Sequence, residues 1–195
     1  MKYYRFTFAM LALFALGLQS CFHHVSRVDP EKNIDLSGSW NDVDSRETSA
    51  AMVTQALEED WLKNHMSAKK EKPVVIVGMI NNKSHEHIDA ETFMKDIEKA
   101  FIESKLVRLV QGGTKREEIR GERADQQTNS SVSTMKQWGL EVGADYMMQG
   151  SINSIVDAYK REKVVYYQID LELTNLQTNE IVWIGDKKIK KVVKN

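Results

Sequence analysis

The first apolar stretch of the chain covers 6–18, where every residue except Thr7 and Gly17 is apolar, and it follows two basic residues, Lys2 and Arg5, with no acid among them. A membrane span needs about 20 apolar residues, so this run is too short to be one and has the length of the apolar core of a secretory leader. Residues 22–44 are polar, contain Pro30 and show no sustained period, which marks them as tether and lead-in; within them, 35–40 is placed to pack on the fold. Periodicity then sets in. Asp44 or Ser45 can cap a helix predicted over 46–66, because Met52, Val53, Ala56, Leu57 and Trp61 recur at i, i+3 and i+4 spacing.

After the charged stretch 69–72 and Pro73, the unbroken apolar run over 74–80 predicts a strand covered on both faces. Residues 81–88 read as a polar loop. Asp89 can cap a helix over 90–104 with Phe93, Ile97, Ala100 and Phe101 on one side, and 106–110 reads as a short strand. Past the turn at 111–114, the pattern over 115–127 predicts a highly charged, exposed helix whose one large apolar residue is Ile119. A further helix, capped from 129–131, is expected to reach Val142 and to end at Gly143.

Three strands complete the chain, over 145–156, 164–174 and 180–190, the last two joined by a hairpin turn at 176–179. In the middle one Val165, Tyr167, Ile169, Leu171 and Leu173 alternate with Tyr166, Gln168, Asp170, Glu172 and Thr174. Alternation of that kind predicts an antiparallel sheet with one face on the core and one open to water. The expected fold class is therefore α/β (α+β), a mixed, largely antiparallel sheet of about five strands packed with about four helices.

Charge narrows the choice of partner. With 27 basic and 28 acidic residues the formal net charge is −1, so no global field draws the molecule to nucleic acid. Cysteine is decisive in another way: Cys21 is the only one in 195 residues, so no internal disulfide can form. It directly follows Leu18-Gln19-Ser20, which has the form of a lipobox, with Leu at −3 and a small residue at −1. The expected organisation is a lipoprotein signal peptide over 1–20, a lipidated Cys21 with its tether over 21–44, and a single domain over 45–195. Phe22 follows the cysteine where an aspartate would retain a lipoprotein in the inner membrane, so the outer membrane, facing the periplasm, is the expected location.

Candidate chemistry is sparse. His85-Glu86-His87 places alternate histidines on an extended segment, but a zinc site needs three or four ligands and no further His lies near in sequence. Gly112-Gly113-Thr114-Lys115 opens a helix without the spacing of a Walker loop, and Ser37-Gly38-Ser39 is not a nucleophile elbow. The acids Glu58-Glu59-Asp60 suit an exposed helix face. Lys187, Lys188, Lys190, Lys191 and Lys194 make the last strand basic, fit either to guard a sheet edge against aggregation or to hold an acidic partner or lipid head groups. The reading is a protein that is no enzyme and needs no metal or cofactor. Its candidate partner-binding residues are Asn81, Asn82, Ser84, His85, Glu86 and His87, since a long polar loop on a scaffold is where binding groups tend to sit.

Four stretches together carry a resemblance: 35–45 (DLSGSWNDVDS), Gly78 with 80–89 (INNKSHEHID), 143–150 (GADYMMQG) and 173–183 (LTNLQTNEIVW). They resemble the LpoB family of penicillin-binding-protein activators, lipoproteins whose domain is similar to the amino-terminal domain of TolB. The last two also recur in lipoproteins such as the curli-secretion CsgG family. The resemblance implies a lipid-anchored, non-catalytic periplasmic regulator that stimulates a peptidoglycan synthase, a class A penicillin-binding protein, by docking on its periplasmic domain. The alternative is a scaffold lipoprotein of another envelope assembly or secretion complex. One departure is visible: the outer-membrane activators of enteric bacteria have a longer, Pro-rich tether, whereas here a single Pro30 lies in a short one.

Overall fold

The computed structural model describes residues 25–30, 32–130 and 140–194; the expected leader over 1–20 and Cys21 lie outside the described residues. The chain divides into two units, Met1–Asn33 and Ile34–Asn195. In the first, the Lys32 N–H closes a turn on the Asp29 carbonyl at 3.0 Å. All that follows concerns the second.

Helix α1 spans Asp42–Glu58 and α2 spans Asp60–Lys69, so the single helix expected over 46–66 is broken in two. The break falls at Glu59, whose backbone is extended, and the Trp61 indole N–H reaches back 2.6 Å to the Ala56 carbonyl in the last turn of α1. Carboxylates are favourable at the positive end of a helix and unfavourable at the negative end, so the start of α2 suits Asp60 in its first turn, whereas Glu58 closes α1 at its unfavourable end. The cap also differs from expectation. Asn41 caps α1, its Oδ1 accepting from the Asp44 N–H at 3.1 Å while Asp44 Oδ2 accepts from the Asn41 N–H at 3.0 Å, a reciprocal capping box that leaves Asp44 inside the helix.

Strand β1 covers Val74–Asn82, α3 covers Ala90–Ser104 with Asp89 as its cap, β2 is only Arg108–Leu109, and α4 runs Gly113–Asn129. Asn81 and Asn82 thus belong to a strand and not to the loop expected from 81. The described residues 140–144 are not helical, and Gly143 lacks the left-handed backbone that would end a helix there; the rest of the helix expected before it lies outside the described residues.

Strands β3 (Tyr146–Tyr159), β4 (Glu162–Asn175) and β5 (Ile181–Lys194) are each 14 residues long and outrun the expected limits. The five strands form one mixed sheet in the order β2-β1-β3-β4-β5, parallel on either side of β1 and antiparallel from β3 onward. A bulge at Gly78-Met79 sits between the pairs Val77 with Met148 and Ile80 with Gly150.

Helices α1 and α3 bury their stripes against one face of this sheet. Met52, Val53, Ala56, Phe93, Ile97 and Phe101 meet Val75, Met148, Ile152, Val165, Tyr167, Ile169, Leu171 and Leu173. Each large apolar side chain so removed from water contributes about 1.5–3 kcal/mol. The alternation read in the middle strand is realised in full: its odd residues from Val165 to Leu173 are buried and its even ones face outward.

Candidate functional site

The loop after β1 is organised by its own side chains. Asn82 Nδ2 donates to the carbonyls of Glu86 (2.8 Å) and Ile88 (3.2 Å), while Asn82 Oδ1 accepts from the Ser84 N–H (2.9 Å) and hydroxyl (2.7 Å). Ser84 Oγ in turn accepts from the Glu86 N–H at 3.2 Å. His85 is tied to β3, with its N–H 3.0 Å and its Nδ1 2.6 Å from Ser154 Oγ. Asn81 and His87 are exposed. Among the described residues no group of three or more His, Cys, Asp or Glu is arranged to hold a metal ion.

Glu86 points inward. Its Oε2 accepts from the Trp40 N–H at 3.0 Å, and the Trp40 ring stands edge-on to Phe93 and Tyr167, centroids 5.9 and 5.6 Å away. Burial pushes the Glu86 carboxyl up, but the Trp40 N–H, the Tyr167 hydroxyl, His85 and Lys163 together hold it below the usual carboxylate range. Burial and then the Glu86 charge raise the Tyr167 hydroxyl, which feels this carboxylate without being aligned as an ordinary hydrogen bond.

A second fastening lies at the far end of the lead-in. Lys191 Nζ sits 2.6 Å from Asp44 Oδ2 and 2.8 Å from Asp35 Oδ2, and donates to the Ser39 carbonyl at 3.0 Å. Burial lowers the Lys191 ammonium, but its bonds to Asp35 and Asp44 outweigh this and raise it. Gly38 has φ +69°, and a Cβ there would lie 2.4 Å from Val193 Cγ2, so the turn needs glycine both for its backbone and for the close approach to β5. The two stretches 35–45 and 80–89, far apart in sequence, are thus neighbours that hold each other in place. Lys191, read with the other lysines as an edge residue, is spent on this bracket.

Another cluster had no sequence signal beyond the triplet Ala144-Asp145-Tyr146. His65, 6% exposed, lies on α2 with Nδ1 3.1 Å from the Tyr146 hydroxyl and Nε2 3.8 Å from Asp145 Oδ2. Asp145 also accepts from Lys69 Nζ at 2.7 Å and from the Val74 N–H at 2.8 Å. Burial lowers the His65 ring below its ordinary value, and Lys69 adds to this against the opposing pull of Asp145. The cluster locks α2 to the start of β3. The glycine turn at 112–115 is likewise structural: a Cβ on Gly112 would come within 2.9 Å of Ile76 Cδ1, and Lys115 is paired with Glu91 at 3.0 Å.

The surface left over for a partner is the open face of the antiparallel sheet. Register places Ile155, Tyr166 and Lys190 in one row, Asn153, Gln168 and Lys188 in the next, and Ser151, Asp170 and Asp186 in the third, with Asn81 of β1 beside Ser151. A hydrogen-bond chain stiffens its centre: the Tyr166 hydroxyl donates to Gln168 Oε1 (3.2 Å), Gln168 Nε2 to Asp170 Oδ1 (2.8 Å), and Asn153 Nδ2 to Asp170 Oδ2 (3.0 Å). Apolar residues rim it, Ile155 being 66% and Ile184 70% exposed. The face thus combines an ordered polar centre with exposed apolar side chains at its margins. Of the six residues expected to bind, only Asn81 belongs to this face by register; Asn82, Ser84 and Glu86 spend their polar atoms within the fold.

The family described as peptidoglycan-synthase activator LpoB matches residues 44–189 of the chain. Among solved structures, the LpoB C-terminal domain from Escherichia coli is similar at 19% identity and a TM-score of 0.46, covering 76% of this chain and 99% of that one. The LpoB C-terminal domain from Salmonella enterica is similar at 18% identity and a TM-score of 0.45 with the same coverage. The solution structure of E. coli LpoB is similar at 16% identity and a TM-score of 0.43, covering 91% of this chain and 84% of that one. No curated protein matches the chain.

Proposed function

Because the chain belongs to the LpoB family of peptidoglycan-synthase activators, we infer that it is a lipid-anchored regulator which binds the periplasmic domain of a class A penicillin-binding protein and raises its synthetic rate without doing chemistry itself. The match over 44–189 carries this reading, since it takes in the helices, β1 to β4 and the larger part of β5, and with them most of the open sheet face. The lipobox at 18–21 supports an anchor at Cys21 in the outer membrane. A synthase held in the opposite membrane is then met by the folded unit at the end of its tether.

Docking works by differential affinity: a regulator shifts its partner toward the active state only as far as it binds that state better than the inactive one. The open sheet face suits this use, because its hydrogen-bonded centre is ordered before the partner arrives and little side-chain entropy remains to be lost. Asn81, His85 and His87 stand as further contact candidates at the end of β1.

The test is direct. The host's class A synthase is assayed for glycan polymerisation with and without the purified protein, and binding is measured in parallel. Wild type is expected to bind and to stimulate, and Ile155→Lys to lose about tenfold in affinity, because it would set an unpaired charge into the contact, with its circular dichroism unchanged. Absence of both binding and stimulation by wild type would sink the synthase reading and favour the scaffold role. Full activity of Ile155→Lys would keep the reading but move the contact off this face.

A further inference from the structure

Strand β5 closes the sheet with a free edge. It is last in the strand order, and over its 14 residues the only backbone hydrogen bonds among the described residues are those with β4. An edge paired to no further strand offers N–H and C=O groups to an extended chain, here from Ile181 to Lys190, before the lead-in packs against Lys191 and Val193.

Its side chains select the chain. Lys187, Lys188, Lys190, Lys191 and Lys194 crowd the second half, against the single acid Asp186. Three of the five are engaged: Lys191 in the lead-in bracket, Lys188 with Asp186 at 3.1 Å, and Lys194 with Glu162 at 3.2 Å. Lys187 and Lys190 face no carboxylate within ion-pair distance among the described residues, and by register they lie on opposite faces of the strand. A second copy is the wrong occupant, since an antiparallel self-pair centred on Ile189 sets Lys188 against Lys190 and Lys187 against Lys191. Like charges directly opposite destabilise a ladder. An incoming strand with acids on both of its faces meets Lys187 on one side and Lys190 on the other.

We propose that the β5 edge captures an extended acidic segment of a partner protein as a sixth strand of the sheet, with the lysines setting charge preference and the backbone supplying the ladder. This goes beyond docking on the open face and holds whichever protein supplies the segment. Edge lysines placed purely to repel would give the same composition, but they would bind nothing.

The probe is a synthetic peptide of repeated Glu-Glu-Thr-Thr as long as β5, which puts acids on both faces of an extended strand, titrated into the isotopically labelled purified protein and followed by amide chemical shifts. Shifts concentrated along Ile181–Lys194 are expected, together with slowed amide exchange on β5. Two control peptides separate the contributions: one with Lys in place of Glu, and one with the acidic sequence but alternate N-methylated residues, which cannot complete a ladder. Neither is expected to bind. The variant Lys187→Glu/Lys190→Glu is expected to weaken the acidic peptide by about tenfold or more, the scale of losing and reversing two exposed charge contacts. Equal binding of the N-methylated peptide would reduce the site to simple charge attraction and overturn the proposal. So would absence of binding by the acidic peptide to wild type, or the same β5 shifts arising on protein concentration alone. The peptide arms use wild type throughout, so they decide the matter even if the double variant does not fold.

Discussion

Lys191 shows how much one charged side chain can hold when it is withdrawn from water. Its ammonium ties Asp35, Ser39 and Asp44 to β5, and replacing it by Met would leave Asp44 buried beside an apolar group. Lys191→Met is expected to cost about 2–4 kcal/mol by urea unfolding, because a broken interior pair leaves one charge uncompensated. A loss within measurement error would make the bracket a surface contact. The titrating groups set two pH windows. His65 has a folded pKa below its unfolded value, so the stability its neutral ring gives is complete above the unfolded value, near 6.5, and is lost as pH falls below it. His65→Gln is expected to flatten the fall of Tm between pH 7 and pH 5, and an unchanged slope would assign that fall to other groups. Asp35, Glu86 and Asp145 are all held below their ordinary values, so their contribution is present above the unfolded carboxylate range and disappears as pH drops through the folded values.

At the scale of elements, the β3–β4 pair governs the molecule because it carries both the core and the open face. Gly150 sits where β3 leaves no room for a side chain: a Cβ there would lie 2.1 Å from the Asp170 carbonyl oxygen and 2.6 Å from Leu171 Cδ2. Backbone cannot yield as a flexible side chain does, so Gly150→Ala is expected to destabilise by about 2–4 kcal/mol, at the upper end for overpacking. A Tm within a degree of wild type would show that the strands can separate there. The same pair explains why strand limits were missed. The turn at Lys160-Arg161 has no Gly, Asn or Asp to announce it, and Lys160 takes a left-handed conformation without a side-chain signal. The turn after β4 was legible, because Asn175 Oδ1 accepts from the N–H groups of Gln177 and Thr178 and Asn179 takes the positive φ.

For the whole molecule the governing quantity is reach. Since the folded unit starts at Ile34, about a dozen residues separate it from Cys21, with a span of at most ~40 Å when fully extended and about 20 Å as a relaxed coil. With the anchor proposed at Cys21 and the partner in the opposite membrane, effective concentration collapses once the tether cannot span the gap. Deleting residues 25–33 is expected to abolish function in the cell while leaving binding of the soluble protein to purified synthase unchanged. Inserting a flexible segment of the same length is expected to be tolerated, because doubling a loop costs only about 0.6 kcal/mol. A harmless deletion would place the partner in the anchor's own membrane.

The sequence by itself determined the mixed sheet, its open antiparallel face, the helix at 90–104 with its Asp89 cap, and the solitude of Cys21. These follow from periodicity, caps and counts, which are local properties that a chain carries whether or not it is folded. It also carried the resemblance to the LpoB family through stretches such as 35–45 and 80–89. Only the tertiary structure decided what those stretches do. Glu86 turns inward to Trp40, Lys191 inward to Asp35 and Asp44, and His65 against Tyr146 and Asp145, each joining residues remote in sequence. A polar residue reads the same along the chain whether it faces water or a buried partner. Which of the two it meets depends on register and packing, so the fastening of the lead-in by Glu86 from a polar loop, and the hold of Lys191 in a basic strand on two acids, became legible only when the strands were laid side by side.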